Sequence, residues 1–298
     1  MKLGTILFSW GQEGIEGALK SAAKAGFNYV DYSLCVDYGV KEKDEEKYFG
    51  EIREIMRDCG LSAQQTHAPA IVEISDDQER FSSEEFKQEV IASIRRTAIL
   101  GATYLVMHLN IPYRKNWQTT PYDYSLFAEE NFKRNIDFCE SLRPYLKEYG
   151  VTLALENLAA YDFSRHVVAL TTCCTSKECN RYIDALGDDL FCVCLDAGHL
   201  NLMKGETHDE FITNLHGRVK VLHLHDNFGA LNDWFGDADR HLPPFFGTLP
   251  WDELAKSLKK NNFSGVYSFE VKGYAPKEFI GNEYEYLFKM GKKIFYNL

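Results

Sequence analysis

No run of proline, glycine or serine interrupts the 298-residue sequence, and no stretch approaches the ~20 consecutive apolar residues of a membrane span. The first apolar stretch is shorter than the core of a signal peptide, which favours a cytoplasmic location. Basic residues are outnumbered, with 33 Lys and Arg against 44 Asp and Glu and a formal net charge of −11. We therefore expect no membrane partner, and a nucleic-acid partner only if a local basic patch overcomes this net repulsion.

Two sequence motifs are also absent. No G-x-G-x-x-G loop follows the first predicted strand, which removes the simplest argument for a dinucleotide-binding fold. The eight cysteines show no paired C-x-x-C spacing, so a zinc site at Cys173, Cys174 and Cys179 is disfavoured. Cys192 and Cys194 fall within a predicted buried strand. Reduced thiols therefore fit the sequence better than a disulfide framework.

Short β-branched or aromatic runs alternate with longer segments of helical period, which indicates βα units around a parallel sheet. Eight such units can be counted, with no change of composition at a domain boundary. We therefore predict one α/β domain over residues 1–298, with the (β/α)8 TIM barrel fold that typically needs roughly 250 residues. The predicted strands are Leu3–Ser9, Tyr29–Leu34, Ser62–His67, Tyr104–Asn110, Thr152–Asn157, Phe191–Asp196, Val219–Asp226 and Val266–Val271.

Helical segments follow these strands. Several end at a glycine where a left-handed stop is needed, as in AKAGF, DCGLS and EYGVT. The clearest predicted helices are Ile15–Ala25, Glu45–Cys59, Ser83–Leu100, Tyr124–Tyr149, Trp251–Asn261 and Lys277–Tyr296.

Residues two apart in a strand point to the same face, so each barrel strand has an inward and an outward set. In the last four strands the inward set begins with small or apolar residues and ends with a carboxylate or an imidazole. These ends lie on the face where TIM-barrel enzymes keep their active sites. They carry Glu156, Asp196, His223 or His225, and Glu270, and two earlier strands end near His67 and His108.

A divalent metal cofactor is the simplest explanation of this pattern. Carboxylates and imidazoles crowded at one barrel mouth would repel one another or lie desolvated without a cation. A divalent ion neutralises the carboxylates and uses the imidazole lone pair. Three carboxylates and one histidine form an oxygen-rich set that is compatible with Mn²⁺, Zn²⁺, Co²⁺ or Mg²⁺.

At these residues the chain resembles the xylose-isomerase-like TIM barrels, the superfamily that contains sugar phosphate isomerases/epimerases, ketose 3-epimerases, inosose dehydratase and endonuclease IV. The resemblance covers essentially the whole chain. The segments that carry it are THAP, LVMHLN, LALEN, LDAGH, LHLHDN, DRHLPP with the following GTLPW, and YSFEV. Their order and strand placement together are specific, whereas each segment alone is weak.

The resemblance implies roles for individual residues. His223 is favoured over His225 as a ligand because it lies three residues before Asp226, as in the family's H-x-x-D ending. His199 matches a histidine that faces substrate in the epimerases. The family's shared metal quartet corresponds to Glu156, Asp196, His223 and Glu270. Further candidate substrate-binding residues are His67, His108, His225 and Arg240, and further candidate metal ligands are His67, His108, His199, Asp239 and His241.

The first functional hypothesis is a metal-dependent isomerase or epimerase of a small-molecule carbohydrate, either a sugar or a sugar phosphate. The metal would chelate adjacent oxygens of a ketose, acidify the carbon-bound proton and stabilise the cis-enediolate that remains. Resemblance to the epimerases nominates Glu156 and Glu270 as catalytic base and acid on opposite sides of that carbon. An inosose-type dehydratase belongs to the same class. Aromatic residues that could wall a sugar pocket are Trp10, Trp117, Tyr161, Phe163, Trp234, Phe245 and Phe246.

The second hypothesis is a zinc phosphodiesterase of the endonuclease IV type acting on abasic DNA. The segments HLHDN and ALENLAA depart from the patterns of that family, and the loops that would grip DNA are poor in Lys and Arg. A barrel that only binds a metabolite is disfavoured because both glutamates are present. Family habit suggests a homo-oligomer without indicating an interface. The nine zinc ligands of the nuclease family recur by residue type at His67, His108, Glu156, Asp196, His199, His223, Asp239, His241 and Glu270.

Overall fold

The structure is a computed structural model of the 298-residue chain. It describes residues 1–7, 10–34, 39–69, 81–113, 116, 118–203, 205–229, 238–272 and 282–296, with only the backbone of residues 10–13. The predicted pocket aromatics Trp117 and Trp234 and the side chain of Trp10 lie outside these ranges, as do the first residues of the predicted helix Lys277–Tyr296.

Eight parallel strands form the barrel, and a separate two-stranded hairpin follows the fifth strand. Each barrel strand pairs with the next along the chain. The ring closes at Leu224, whose N–H donates to the carbonyl of Ser268 (2.9 Å) and whose carbonyl accepts from Glu270 N (3.0 Å). The predicted (β/α)8 barrel is thereby confirmed. The strands are β1 (Leu3–Ile6), β2 (Tyr29–Ser33), β3 (Ser62–His67), β4 (Tyr104–Met107), β5 (Thr152–Glu156), β6 (Ala160–Asp162), β7 (Val167–Ala169), β8 (Phe191–Asp196), β9 (Val219–His223) and β10 (Tyr267–Phe269).

Helices separate the barrel strands, as the alternating pattern predicted. Helix α4 ends at Gly150, whose positive φ of 65° is the left-handed stop expected from the EYGVT segment. No helix in the described ranges combines the length and apolar character needed to cross a membrane. The helices are α1 (Trp10–Ala25), α2 (Glu42–Asp58), α3 (Glu84–Ile99), α4 (Ala128–Tyr149), α5 (Ser176–Leu186), α6 (Ala197–Leu202), α7 (His208–Asn214), α8 (Trp251–Lys260) and α9 (Glu283–Phe295).

The strands separate two apolar layers. A small buried cluster joins Val106, Ala154, Cys192, Cys194 and Val221, as expected of residues that fill the barrel interior. The alternate residues Leu153, Leu155, Val193 and Leu195 belong to the larger core that includes the helices, so the predicted alternation holds for β5 and β8. Val219 was predicted to point inward but packs in the larger core. A register irregularity between Val193 and Cys194, where β8 pairs with β9, shifts the phase at this point.

The hairpin of β6 and β7 was not predicted, because strands of three residues are too short to show a period of two. The Arg165 guanidinium pairs with Asp162 and donates to the carbonyl of Tyr122 (2.9 Å), so this arginine fastens the hairpin to the preceding loop. Tyr161 is buried and packs edge-on against Phe163, with ring centroids 5.0 Å apart. The predicted pocket aromatic Tyr161 therefore lies within the hairpin's own packing.

Candidate metal centre

Six chemically active side chains lie where barrel strands end. His67, Glu156, Asp196 and His223 are the last residues of β3, β5, β8 and β9, while His108 and Glu270 directly follow β4 and β10. Parallel strands of a closed barrel end at one mouth, so residues from six different strands meet there.

Glu156 lies at the centre of this group. One carboxylate oxygen, Oε2, is 3.0 Å from His108 Nε2 and 3.3 Å from His67 Nε2. The other, Oε1, is 3.3 Å from His223 Nδ1 and 3.4 Å from His199 Nδ1. The side chain is only 1% exposed. Glu156 is therefore surrounded by imidazoles on both of its oxygens and belongs to more than one potential metal-binding group.

Glu156, Asp196, His223 and Glu270 form the quartet, a set whose ligand atoms all lie within 4.8 Å of one another. His223 shows what this set is suited to bind. Its Nε2 is 3.0 Å from Asp31 Oδ2, while its Nδ1 is buried without a hydrogen bond. That nitrogen lies 3.3 Å from Glu156 Oε1 and 3.2 Å from Glu270 Oε2.

A cation fits this arrangement better than any other group. Asp31 Oδ2 can only accept, so Nε2 of His223 is the donor, and in the neutral ring that a metal ion requires the Nδ1 lone pair faces two carboxylates. A buried lone pair beside two anions is costly unless something positive lies between them. A carboxylate that fixes the tautomer of a metal-binding histidine is a recurrent feature of metal sites.

At three further histidines, a backbone carbonyl determines which ring nitrogen carries the proton of the neutral ring. Nδ1 contacts a backbone carbonyl in His67 (Ala68, 2.7 Å), His199 (Asn157, 2.9 Å) and His241 (Glu270, 2.8 Å). Since a carbonyl oxygen only accepts, each of these Nδ1 atoms carries a proton, and each ring directs its Nε2, which has a lone pair when the ring is neutral, to another group. The Nε2 atoms of all three rings face carboxylates of the site.

His199, His225, Asp239 and His241 form the distal cluster, whose ligand atoms also lie within 4.8 Å of one another. Asp239 Oδ2 is 3.0 Å from His241 Nε2 and 3.5 Å from His199 Nε2. The Asp239 side chain is 35% exposed, more than any quartet member. A third group of potential ligands consists of His67, His108 and Glu156.

His225 connects the quartet with the distal cluster. It is fully buried, its Nε2 is 3.0 Å from Asp196 Oδ1, and its ring stacks on His241 with centroids 3.8 Å apart. The backbone of Gly198 lies against the same ring, because a Cβ at that position would be 2.0 Å from His225 Cε1. The ring of His225, a predicted substrate-binding residue, is enclosed by these neighbours, with its Nε2 directed at Asp196 and its Nδ1 buried without a hydrogen bond.

The charges of the site depend strongly on one another. Burial raises the pKa of the carboxyl groups of Glu156 and Asp239, but neighbouring imidazolium groups outweigh it and hold both well below the usual range. Burial lowers the pKa of His223, but nearby anions including Glu270 and Glu156 raise it well above its ordinary value. For His67, Glu156 outweighs burial and raises the pKa to about 9. A bound metal ion would replace these protons, because imidazoles must be neutral to act as ligands.

Three residues of the site, Asp31, Gln65 and Lys272, were not singled out from the sequence. Asp31 contacts His223, and its Oδ2 accepts a hydrogen bond from Gln65 Nε2 (2.6 Å). The signal that could have revealed Asp31 was an acidic residue inside the apolar strand β2. Lys272 lies two residues after Glu270, in the same phase, and its Nζ is 3.0 Å from His241 Nε2.

The remaining candidates are not members of these clusters. The Arg240 guanidinium is 5.2 Å from the ring centroid of Phe228, so the structure shows an aromatic contact for it. Cys173 Sγ and Cys179 Sγ are 3.2 Å apart, and the potential metal-binding groups found in the described ranges do not include them.

Comparisons with known proteins agree with this fold. The uncharacterized protein y4fM of Sinorhizobium fredii (strain NBRC 101917 / NGR234) is 26% identical over 282 residues, covering 88% of this chain and 82% of that protein. The probable endonuclease 4 of Staphylococcus saprophyticus is 25% identical over 279 residues, covering 89% of this chain and 86% of that protein.

Solved structures show the same architecture at lower identity. A D-psicose 3-epimerase crystallised in the presence of D-fructose matches with a TM-score of 0.71 at 15% identity, covering 99% of each chain. The IOLI protein with a bound zinc atom matches with a TM-score of 0.70 at 18% identity, covering 100% of this chain and 97% of that one. The sequence model of one family also matches residues 19–290, and the chain therefore belongs to the xylose isomerase-like TIM barrel family.

Proposed function

We propose that the protein is a metal-dependent isomerase or epimerase of a sugar or sugar phosphate, in which Glu270 transfers the carbon-bound proton. The observation that carries this proposal is the unequal environment of the two glutamates that flank His223. Both approach its Nδ1, at 3.3 Å for Glu156 and 3.2 Å for Glu270. The side chain of Glu156 is only 1% exposed, whereas that of Glu270 is 15% exposed.

The quartet is the set that would hold the essential metal. When bound there, a divalent cation supplies a Lewis acid that polarises a carbonyl group and makes the neighbouring C–H more acidic. Asp196 is suited to a fixed ligand role, because its side chain also accepts a hydrogen bond from His199 N (2.6 Å) at the start of α6. His223 is held by Asp31.

Proton transfer is better suited to Glu270 than to Glu156. Burial raises the pKa of the Glu270 carboxyl, but His223 and His241 lower it overall, so the group is an ionised base at neutral pH. Glu156 has imidazoles at both oxygens, which favours an anchoring role over the acid or base role expected from the sequence. Return of the proton by Glu270 to the adjacent carbon would isomerise the sugar. Epimerisation would also need an acid on the opposite face of that carbon.

A second candidate is hydrolysis of abasic DNA. It is favoured by one specific observation, that the nine residues matching the nuclease ligands gather into three groups, each with ligand atoms within 4.8 Å. The 25% identity to a probable endonuclease 4 also supports it. We place it second because Lys272 Nζ lies 3.0 Å from His241 Nε2, so a metal ion at that nitrogen of the distal cluster would have to displace the ammonium group.

Deuterium exchange tests the first candidate directly. Metal-loaded protein is incubated in D₂O with a panel of free and phosphorylated ketoses, and NMR follows loss of the proton beside the carbonyl group. We expect Glu270→Gln to slow this exchange by at least about a hundredfold, the typical contribution of general acid–base catalysis. Glu253→Gln on the exposed face of α8 is the matched control and should exchange at the wild-type rate.

Two outcomes would contradict the proposal. If Glu270→Gln exchanged the proton at the wild-type rate, Glu270 would not be the residue that transfers it. Cleavage of abasic DNA by a wild-type protein that exchanges no proton of any ketose would establish the nuclease in its place.

A further inference from the structure

Lys272 brings a positive charge from the chain itself to the distal cluster. Its Nζ is 3.0 Å from His241 Nε2. The two residues are also joined through the backbone, since Lys272 N donates to the carbonyl of His241 (3.2 Å). Together with the contact of His241 Nδ1 to the carbonyl of Glu270 (2.8 Å), these bonds clamp the segment that carries Asp239 and His241 against the end of β10.

The contact of Lys272 uses the one nitrogen that His241 could offer to a metal. Nδ1 of His241 donates to the carbonyl of Glu270, so the neutral ring has a single in-plane lone pair, on Nε2. The same Nε2 is 3.0 Å from both Lys272 Nζ and Asp239 Oδ2, so an ammonium group and a carboxylate already face the nitrogen that a metal ion would use. A metal ion bound to this nitrogen would have to displace the Lys272 ammonium group.

The stacking of His225 on His241 limits which residues of the distal cluster can bind the same ion. The two rings are nearly parallel, with an interplanar angle of 12° and centroids 3.8 Å apart. An ion bound to an imidazole lies close to the ring plane, in the direction of the nitrogen lone pair. One ion cannot lie in two parallel planes, so the four potential ligands of the cluster cannot all bind one ion in the present arrangement.

We propose that Lys272 is the resident cation of the distal cluster and keeps a metal ion out of it. The ammonium group then supplies the positive charge beside Asp239 and His241 that a metal ion in the distal cluster would otherwise bring. This proposal rests on the proposed function, in which the quartet is the reactive centre. The number of metal ions bound per chain then depends on Lys272, which is not itself a metal ligand.

The test is a calorimetric titration of the full-length, chelator-stripped protein with Zn²⁺, together with metal analysis of the loaded protein. We expect Lys272→Met to bind one more Zn²⁺ per chain than the wild type, or to bind its weakest ion at least about tenfold more tightly, the usual scale for removing a nearby like charge. Lys272→Arg, which retains the charge, and Lys256→Met, which makes the same change on the exposed face of α8, should behave like the wild type.

A double variant locates the additional ion. Adding Asp239→Asn to Lys272→Met should remove the gain, because Asp239 is the only carboxylate of the distal cluster. Equal ion numbers and affinities in Lys272→Met and wild type would overturn the inference, as would the same gain in Lys272→Arg or its persistence in the double variant. Failure of ketose exchange would disprove the proposed reaction but leave these ion counts unchanged, so the two failures are distinguishable.

Discussion

The quartet and the distal cluster are built from the same residue types but on different supports. Quartet residues terminate or directly follow strands of the closed barrel, and His223 is held from behind by Asp31. Asp239 and His241 belong to a loop, and His241 adopts a left-handed backbone conformation with φ of 45°. Barrel strands fix their side chains through the hydrogen-bonded ring, whereas a loop needs local contacts to do so. The quartet is therefore supported by the barrel itself, whereas Asp239 and His241 depend on the contacts of their loop.

The loop of the distal cluster is held mainly by one buried carboxylate. Asp226 accepts hydrogen bonds from Phe245 N, Leu249 N and Trp251 Nε1, each at 3.0 Å. Its backbone also pairs with Leu242 in both directions, at 2.7 and 2.8 Å. This network places His241 at the barrel mouth. The acidic residue that helped to choose between His223 and His225 in the sequence thus has a structural role of its own.

The clusters also differ in the charge that contacts their imidazoles. Each contains a buried imidazole nitrogen without a hydrogen bond, Nδ1 of His223 in the quartet and Nδ1 of His225 in the distal cluster. In the distal cluster, the amine of Lys272 also contacts His241 Nε2 (3.0 Å). Similar sets of histidine and carboxylate therefore need not hold the same number of metal ions, because a single amine can take the place of one.

The Glu156→Gln variant should show the largest difference between the quartet and the distal cluster. We expect Glu156→Gln to weaken metal binding by more than about a hundredfold, because it removes a charge shared by three potential metal-binding groups. Asp239→Asn, the matched change in the distal cluster, should leave the tightest ion unaffected. Isothermal titration with Mn²⁺ or Zn²⁺ measures both variants, with circular dichroism as the control for folding. A larger loss of affinity in Asp239→Asn would reverse the assignment of the principal site.

Substitution of Gly198 tests how tightly His225, which connects the quartet with the distal cluster, is packed. An alanine Cβ there would lie 2.0 Å from His225 Cε1, and overpacking a core typically costs about 1–3 kcal/mol. We expect Gly198→Ala to lower the free energy of unfolding by about 2 kcal/mol. Gly50→Ala is a suitable control, because Gly50 lies within α2 with no neighbouring atom within 4 Å of the added Cβ. That control should stabilise the protein slightly, since alanine favours a helix by up to about 1 kcal/mol. Urea unfolding of both variants decides whether His225 is tightly packed.

Asp31 should have a smaller effect, because it acts on the metal only through His223. We expect Asp31→Asn to reduce metal affinity by roughly tenfold, the lower end of the range for residues that orient a metal ligand. Asp252→Asn, at an exposed position in the first turn of α8, is the control. Titration of the two variants gives the comparison. Unchanged affinity in Asp31→Asn would mean that the quartet orients His223 without this carboxylate.

Much of the fold and part of the site could be predicted from local pattern. Strands β3 and β8 have the predicted bounds, while β4 ends at Met107 rather than Asn110 because the barrel ladder stops there. Asn110 instead hydrogen-bonds through its Nδ2 to Asn131 in α4 (2.8 Å). The short hairpin after β5 gave no periodic signal. Roles for Glu270, His225 and Lys272 in substrate or metal binding remain proposals that the experiments above test.

The alternation of strands and helices and the residue types at the strand ends can be read from the sequence alone. These follow from local periodicity and from the rule that parallel strands of a barrel end at one mouth. Which nitrogen faces which oxygen depends on the tertiary structure. Asp31 and His223 are 192 residues apart in the chain yet 3.0 Å apart in space, and Lys272 reaches His241 across 31 residues. Such contacts depend on barrel closure and loop path, which no local pattern encodes.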